Sequence, residues 1–374
     1  MLAADLPGTE TLIDLIDARH RGSVTIVTES SPIPSDRQLA QLRLREGIDR
    51  AARELAESDL PRDERDGVLA ALRGLLDDPD FWDSQSRSLV VFAAPGRLEA
   101  FRLPNRLEPR AAVGDRFDTG PLLRSTTFPR RAFVVRVSKE GGRLCEFGAD
   151  HGLVHHELDL PDDLWATLAH ATNDGQRDMP RSQGTTGDRI EREKFARIVQ
   201  DAVVGVVPAD VPLILAASQD LAPAYRAVNT HRVLLERGID AHPDSLSSTE
   251  LETAARTILD AHEHDELVQW RERFGSLRAQ GLATSSLKHA AVAASTGAVE
   301  ELLFDLAHTE EGVIDDAGHV TAAADAGPDT YALVDEVAAR VLRSGGRVRA
   351  VRHEDVPDGT AIAAVLRFAL PDGL

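Results

Sequence analysis

Hydrophobic and polar positions change their spacing repeatedly along the chain, and each change predicts a new element. Apolar residues at three- and four-residue spacing predict helices over residues 8–18, 36–58, 219–231, 248–280, 286–295 and 330–345, with another beginning at Pro61. Short apolar and β-branched runs predict strands at 23–29, 88–95, 97–104, 110–117, 130–138, 142–149, 152–160, 211–218, 298–306, 346–353 and 362–368. Residues 309–329, rich in Asp, Gly and Ala, predict a surface excursion. The mixture indicates an α/β (α+β) protein of several domains.

The sharpest change in spacing lies at residues 173–189. This stretch is almost wholly polar, with Met179 as its only large apolar residue, and three glycines and Pro180 interrupt any regular element. Beyond it, apolar residues recur at helical spacing: Phe195, Ile198, Val199, Ala202, Val203 and Val206. Asp188 with Glu191 forms a capping-box pattern. We therefore predict a long polar loop that leads into a helix, and the loop is either functional or a solvated surface segment.

Net charge and cysteine content narrow the function classes. The formal net charge is −20, so phosphate repulsion opposes general nucleic-acid binding and RNA contacts require local basic patches. The single cysteine, Cys145, is consistent with a reducing cytosol, and its place within a predicted strand favours a core position. No apolar run approaches the ~20 residues of a membrane span, and the first residues lack the pattern of a signal peptide. We expect a cytoplasmic protein without membrane contact.

Residues that often carry metal or covalent chemistry are poorly arranged for it here. His155 and His156 fall on opposite faces of a predicted strand, and His262 and His264 stand two apart on a predicted helix, so neither pair predicts a metal site. Ser218 ends a strand before a helix, where α/β proteins often hold ligands, but Gly-x-Ser-x-Gly is missing around it. Neither a Gly-Lys-Ser/Thr phosphate loop nor a dinucleotide fingerprint is found. We expect no metal and no small-molecule cofactor.

The order of several phrases resembles a known superfamily. A predicted meander, a polar loop and a helix opening with Lys194-Phe195-Ala196-Arg197 resemble the middle domain of eukaryotic and archaeal class-1 release factors and of pelota. Residues 286–306 and 345–368 resemble the C-terminal domain of those proteins. Residues 88–104 and 114–124 resemble the bacterial branch, the bacterial archaeo-eukaryotic release factor family, to which the hibernation factor Balon is also related.

This resemblance implies a division of the chain into three domains. Residues 1–127 would form an N-terminal α/β domain, and residues 128–243 a middle release-factor-like domain with an RNase-H-like core and the polar loop 173–189. Residues 244–374 would form a C-terminal α/β/α sandwich resembling the kink-turn-binding ribosomal proteins.

The loop departs from the release-factor pattern in its chemistry. Release factors carry Gly-Gly-Gln ahead of the helix, where the glycines allow close approach to the peptidyl-tRNA ester and the Gln amide helps to stabilise the oxyanion. Here the ungapped position holds Asp188-Arg189-Ile190, and the nearest echo is Gly175-Gln176 after Asp174. Gly175 and Gln176 are thus the only candidates for a catalytic pair.

The resemblance implies a ribosome-associated translation factor that binds the A site in stalling, rescue or hibernation without a Gly-Gly-Gln motif. Its expected partners are the ribosome, through rRNA and P-site tRNA, and a translational GTPase. Two alternatives stay open: a peptidyl-tRNA ester hydrolase with a degenerate loop, and an acidic interaction scaffold that does not act on the ribosome.

Two groups of basic residues are candidates for RNA contact, because Arg suits phosphate recognition. The first group, on and beside the loop, is Arg177, Arg181, Arg189, Arg192, Lys194 and Arg197. The second, at the predicted junction of the first two domains, is Arg124, Arg130, Arg131 and Arg136. The competing interpretation is a set of surface ion pairs with nearby carboxylates.

Overall fold

Helices and strands alternate through most of the chain, and a mixed α/β fold class is confirmed. The computed structural model describes residues 5–127, 131–148, 152–161, 185–241, 243–324, 327 and 330–370. The helices are α1 Thr9–Asp17, α2 Arg37–Glu57, α3 Arg62–Leu76, α4 Pro79–Asp83, α5 Gly120–Thr127, α6 Thr185–Val204, α7 Ala222–Val228, α8 Ser248–Arg278, α9 Leu287–Ser295 and α10 Leu333–Arg343.

The strands in the described residues belong to four sheets. They are β1 Arg19–Glu29, β2 Ser88–Ala94, β3 Arg97–Leu103, β4 Arg110–Arg116, β5 Arg131–Ser138, β6 Gly141–Gly148, β7 Val154–His156, β8 Leu213–Ala217, β9 Ala283–Thr284, β10 Val299–Asp305, β11 Glu311–Ile314, β12 Val320–Ala322, β13 Tyr331–Ala332, β14 Arg347–Val351 and β15 Ile362–Leu366. The residues form two compact units: Met1–Pro129 with Val268–Leu374, and Arg130–Leu267. The three-domain division stays a prediction.

The first unit contains an antiparallel sheet in the order β3-β2-β1-β4. A hairpin joins β2 and β3, and Gly96 supplies the positive φ of its turn. Every residue of β2 is buried. Alternate side chains of a strand point to opposite faces, so Leu89, Val91 and Ala93 join a core with α2 and α3. The intervening Val90, Phe92 and Ala94 join a second core.

This second core contains residues from both ends of the sequence. Phe92 and Phe117 lie in one hydrophobic cluster with Ala291 of α9, Phe304 of β10 and Val337 of α10. The strand β10 lies in a sheet ordered β14-β10-β15-β9, parallel to β14 and antiparallel to β15. Residues before 128 and after 286 therefore share one hydrophobic core.

The second unit contains the predicted meander, which is confirmed. Its sheet has the order β7-β6-β5-β8, with β5 antiparallel to β6 and parallel to β8. One face of the sheet packs against α6 and α7. The other face packs against the first half of α8 through Leu251, Ala255 and Leu259. The parallel pair brings the carboxyl ends of β5 and β8 to one edge of the sheet.

Several predicted boundaries were wrong. Residues 152–160 contribute only the short strand β7, and residues 309–329 hold β11 and β12 of a small sheet ordered β12-β11-β13. The helix predicted over 330–345 begins at Leu333, because Tyr331 belongs to β13 and its hydroxyl bonds the backbone N–H and carbonyl of Ile314. At these residues the long-range contact outweighs the local helix propensity, so they form a strand.

Candidate functional site

A polar cluster lies at the sheet edge where β5 and β8 end, in the second unit. Asp220, in the turn between β8 and α7, is its centre. The Ser218 hydroxyl donates a hydrogen bond to Asp220 Oδ1 over 2.7 Å. Asp220 Oδ2 lies 3.6 Å from Arg192 Nε of α6 and 3.9 Å from Lys139 Nζ in the turn after β5. Three separate elements therefore converge on one carboxylate, which we call the Asp220 cluster: Lys139, Arg192, Ser218 and Asp220.

The surroundings favour the ionised form of Asp220. The hydrogen bond from Ser218 is the main cause that lowers the pKa of this carboxyl, and the charges of Lys139 and Arg192 lower it further. Asp220 therefore stays negatively charged at neutral pH and neutralises part of the positive charge around the start of α6.

Helix α6 begins earlier than the sequence pattern predicts. It starts at Thr185, so residues 185–189 of the predicted loop are helical and Asp188 is not the N-cap. Gly187 does not break this helix, because a glycine lowers helix stability by only about 1 kcal/mol relative to alanine. The polar residues 173–184 thus precede the helix directly in sequence.

The outward face of α6 carries unpaired positive charge. At 100° per residue, Ile190, Lys194, Arg197, Asp201 and Val204 form one stripe, and all five are exposed. Lys194 and Arg197 form no ion pair with any residue in the described ranges. We call these five residues the α6 outward face.

Arg189, beside this face, is engaged by its own helix. It pairs with Glu193 one turn later, with Arg189 Nε 2.7 Å from Glu193 Oε1. Exposed pairs of this spacing contribute only about 0.3–0.5 kcal/mol, so Arg189 is held weakly.

The inward face of α6 fixes the helix through apolar contacts and one buried polar network. Phe195, Val199 and Val203 are buried with α7. In the amide orientation that satisfies its neighbours, the fully buried Gln200 side chain donates to Tyr225 Oη over 2.5 Å and accepts from the backbone N–H groups of Thr230 and His231. Burial raises the pKa of the Tyr225 hydroxyl, which stays protonated. The network sets the rotation of α6 and hence the direction of its outward face.

The predicted binding residues are distributed unevenly. Gly175, Gln176, Arg177, Arg181 and Arg130 lie outside the described residues. Arg192 belongs to the Asp220 cluster, and Lys194 and Arg197 to the α6 outward face. Their role in RNA binding stays a prediction.

The described members of the second basic group are ion-paired. Arg124, in the first unit, lies 2.9 Å from Asp335. Arg131 pairs with Glu146 over 2.5 Å and Arg136 with Asp244 over 3.3 Å. An odd spacing of five residues puts Arg131 and Arg136 on opposite faces of β5. These contacts favour a structural role.

The histidine and cysteine side chains of the meander make contacts between neighbouring strands of the sheet. Cys145 is buried and its Sγ lies 3.3 Å from His155 Nδ1, while Glu146 pairs with His156 across the neighbouring strand. Burial raises the pKa of Cys145, so the thiol is not activated. In the described part of the chain, no three His, Cys, Asp or Glu side chains are grouped to hold a metal ion. Within the same ranges, no helix combines the length and apolar content needed to cross a bilayer.

Sequence reasoning missed Asp220, Gln200 and Tyr225. Ser218, at the end of a strand before a helix, was the only signal near Asp220. Nothing in the local pattern distinguishes Gln200 from the exposed polar residues of an amphipathic helix, because its partners lie about 25–30 residues later.

The middle of the chain matches the model of a known protein family. Residues 129–265 match the model of bacterial archaeo-eukaryotic release factor family 11. The predicted resemblance to the bacterial archaeo-eukaryotic release factor family is thus confirmed over these residues, and the match relates the middle of the chain to translation release factors. A search of curated proteins gives no match.

Solved structures that are similar to the chain include the following three proteins. Dom34 of S. cerevisiae, a translation termination-like factor, is 11% identical, with 100% of this chain and 95% of that chain covered and a TM-score of 0.44. An archaeal translation termination factor, aRF1, is 15% identical, with 97% and 99% covered and a TM-score of 0.25. Pelota of Archaeoglobus fulgidus is 12% identical, with 97% and 93% covered and a TM-score of 0.30.

Proposed function

We propose that this chain, whose residues 129–265 match bacterial archaeo-eukaryotic release factor family 11, is a ribosome-associated translation factor that binds the A site. It acts in stalling, rescue or hibernation rather than in ordinary termination, because the Gly-Gly-Gln needed for ester hydrolysis is missing. Its partners are rRNA, P-site tRNA and a translational GTPase, and it works in the cytoplasm.

The α6 outward face is the observation that carries this proposal. Lys194 and Arg197 are exposed and form no ion pair with described residues, whereas Arg189, Arg192 and Lys139 nearby all face carboxylates. In a chain of net charge −20, unpaired cations on one helix face provide the local positive charge that RNA contact needs.

The segment ahead of α6 adds to this surface. Residues 173–184 lead directly into Thr185 and include Arg177 and Arg181. A polar segment attached to a helix with unpaired cations suits entry into an RNA cavity, since the acidic remainder of the chain can stay outside.

Charge reversal on α6 tests the proposal. We expect the Lys194→Glu/Arg197→Glu variant to co-sediment with bacterial 70S ribosomes about tenfold more weakly than the unmodified protein, and with a shallower salt dependence, because phosphate contacts are lost. The control is Arg232→Glu, which reverses one charge where the α6 variant reverses two. Arg232 is also exposed and unpaired among described residues, but it lies near Val211, at the opposite edge of the same sheet.

A deletion of residues 173–184, which leaves α6 intact, is the second variant. We expect it to weaken binding further, with unchanged circular dichroism. If the folded protein binds neither empty nor stalled ribosomes at low salt, the proposal is wrong and an acidic scaffold without ribosomal function becomes the better interpretation. Equal losses in the α6 variant and in Arg232→Glu would contradict a role for this particular face.

A further inference from the structure

The Asp220 cluster has the donors of an anion site, with a carboxylate of the chain in the anion's place. An Arg, a Lys and a Ser hydroxyl approach one point from three elements: α6, the turn after β5 and the end of β8. Guanidinium, ammonium and hydroxyl groups are the donors that proteins use for phosphate.

We infer that Arg192, Lys139 and Ser218 form a phosphate-binding position, and that Asp220 occupies it as an internal counter-ion in the free protein. The phosphate is that of an RNA backbone, and this part of the inference rests on the proposed function. The Asp220 carboxylate then lowers the affinity of this position for phosphates in general. Only a phosphate that is placed to bind Arg192, Lys139 and Ser218 displaces it.

The geometry of the two ion pairs indicates that replacing the Asp220 carboxylate with a phosphate costs little free energy. The two nitrogen–oxygen distances are 3.6 and 3.9 Å, beyond hydrogen-bond length. About a third of the Arg192 and Asp220 side chains and 62% of the Lys139 side chain are exposed. Exposed pairs of this kind contribute little to stability, so a phosphate that makes direct hydrogen bonds can replace them.

The partial solvent exposure of Asp220 also allows its carboxylate to leave this position. The Ser218 hydroxyl donates a short side-chain bond to Asp220, and a rotation of the Asp220 side chain towards solvent removes its negative charge from beside Arg192 and Lys139. A phosphate oxygen can then accept the Ser218 hydroxyl, so the donors of the cluster keep their partners.

The first test uses inorganic tripolyphosphate as the probe and does not depend on ribosomes. Asp220→Asn removes the charge but keeps an oxygen that can accept from Ser218. Asp210→Asn is the matched control, because Asp210 is an exposed carboxylate in the turn before β8 that forms no ion pair with described residues. We expect tripolyphosphate to raise the thermal midpoint of Asp220→Asn more than that of Asp210→Asn or the unmodified protein, since stabilisation grows with affinity for the folded state.

Adding Arg192→Gln to Asp220→Asn should abolish this gain. Equal midpoint shifts in Asp220→Asn and Asp210→Asn would overturn the inference, because any gain would then follow from net charge alone.

The second test asks whether RNA supplies the phosphate. In 70S co-sedimentation at low salt, Asp220→Asn should bind about three- to tenfold more tightly than Asp210→Asn, because two weak ion pairs no longer compete. Its salt dependence should also be steeper. A gain with tripolyphosphate but none on ribosomes would overturn RNA as the source. If the unmodified protein binds no ribosomes, the proposed function fails, and the tripolyphosphate result still decides the anion position.

Lys139→Gln keeps the inference testable if Asp220→Asn does not fold. Lys139 lies in an exposed turn and its substitution leaves Asp220 in place. We expect ribosome affinity to fall about two- to fivefold, as for one exposed charge contact. If Asp220 instead holds Lys139 permanently, affinity is unchanged and the inference is wrong.

Discussion

The buried carboxyl group of Asp335, in the first unit, marks where α5 meets α10. Asp335 is 8% exposed, and a Cβ built on Gly120 would lie 2.0 Å from Asp335 Oδ2, so only glycine fits at the start of α5. Arg124 Nη2 lies 2.9 Å from Asp335 Oδ1 and also donates to the carbonyl of His308. The carboxylate and the guanidinium thus tie residues 120–124 to the C-terminal part of the same unit.

Burial raises the pKa of Asp335 from its ordinary 3.8 to about 7. Arg124 and Arg110 oppose this rise, while the negative charges of Asp118 and Glu311 add to it. Between these two values the folded protein keeps a proton that the unfolded chain releases, so this group contributes stability that is lost as pH rises towards 7.

Asp335→Asn tests this linkage. We expect the free energy of unfolding of the unmodified protein to fall, relative to that of the variant, by about 2 kcal/mol between pH 5 and pH 7. The difference between the two should then be constant above pH 8. Urea unfolding at a series of pH values measures it. Parallel stability curves for the two proteins would show that Asp335 does not titrate in this range.

At the scale of elements, α6 and α7 are joined by the Gln200–Tyr225 network inside an apolar contact. A buried polar group that loses its partner costs about 1–3 kcal/mol. Tyr225→Phe preserves the ring and removes only the hydroxyl that accepts from Gln200. We expect urea unfolding to show a loss of about 1–3 kcal/mol, and an unchanged free energy would contradict the assigned network.

The sequence predicts an element well when the contacts that determine the element lie within it. The apolar spacing of Phe195, Val199 and Val203 depends on one helix face, and the pattern predicted α6 correctly apart from its first turn. The strand β13 was missed because Tyr331 is held by Ile314, a contact that spacing within the segment cannot reveal. The Asp220 cluster was missed for the same reason: its members come from three elements.

At the scale of the whole molecule, one core is built from the two ends of the sequence. Phe92 and Phe117 from the first part lie in the same cluster as Ala291, Phe304 and Val337 from the last part. Residues 1–129 alone would therefore expose one complete face of their sheet to water, and exposed apolar faces of this extent drive aggregation.

Fragments of the first unit test this dependence. We expect residues 1–129 expressed alone to be insoluble, and to become soluble when co-expressed with residues 268–374. Co-purification through a tag on one fragment, followed by size-exclusion chromatography, measures the complex. A monomeric, cooperatively unfolding fragment 1–129 would show that the shared core is dispensable.

The shared core has a consequence for the order in which the chain can fold while it is being made. Synthesis proceeds from the N-terminus, and domains generally fold as units as they emerge. The second unit uses one continuous segment, Arg130–Leu267, whereas the first needs Val268–Leu374 as well. The middle of the nascent chain can thus mature before its beginning does. Val90 and Phe92 belong to the first third of the sequence, and they must wait for residues of the final third to be made before they are buried.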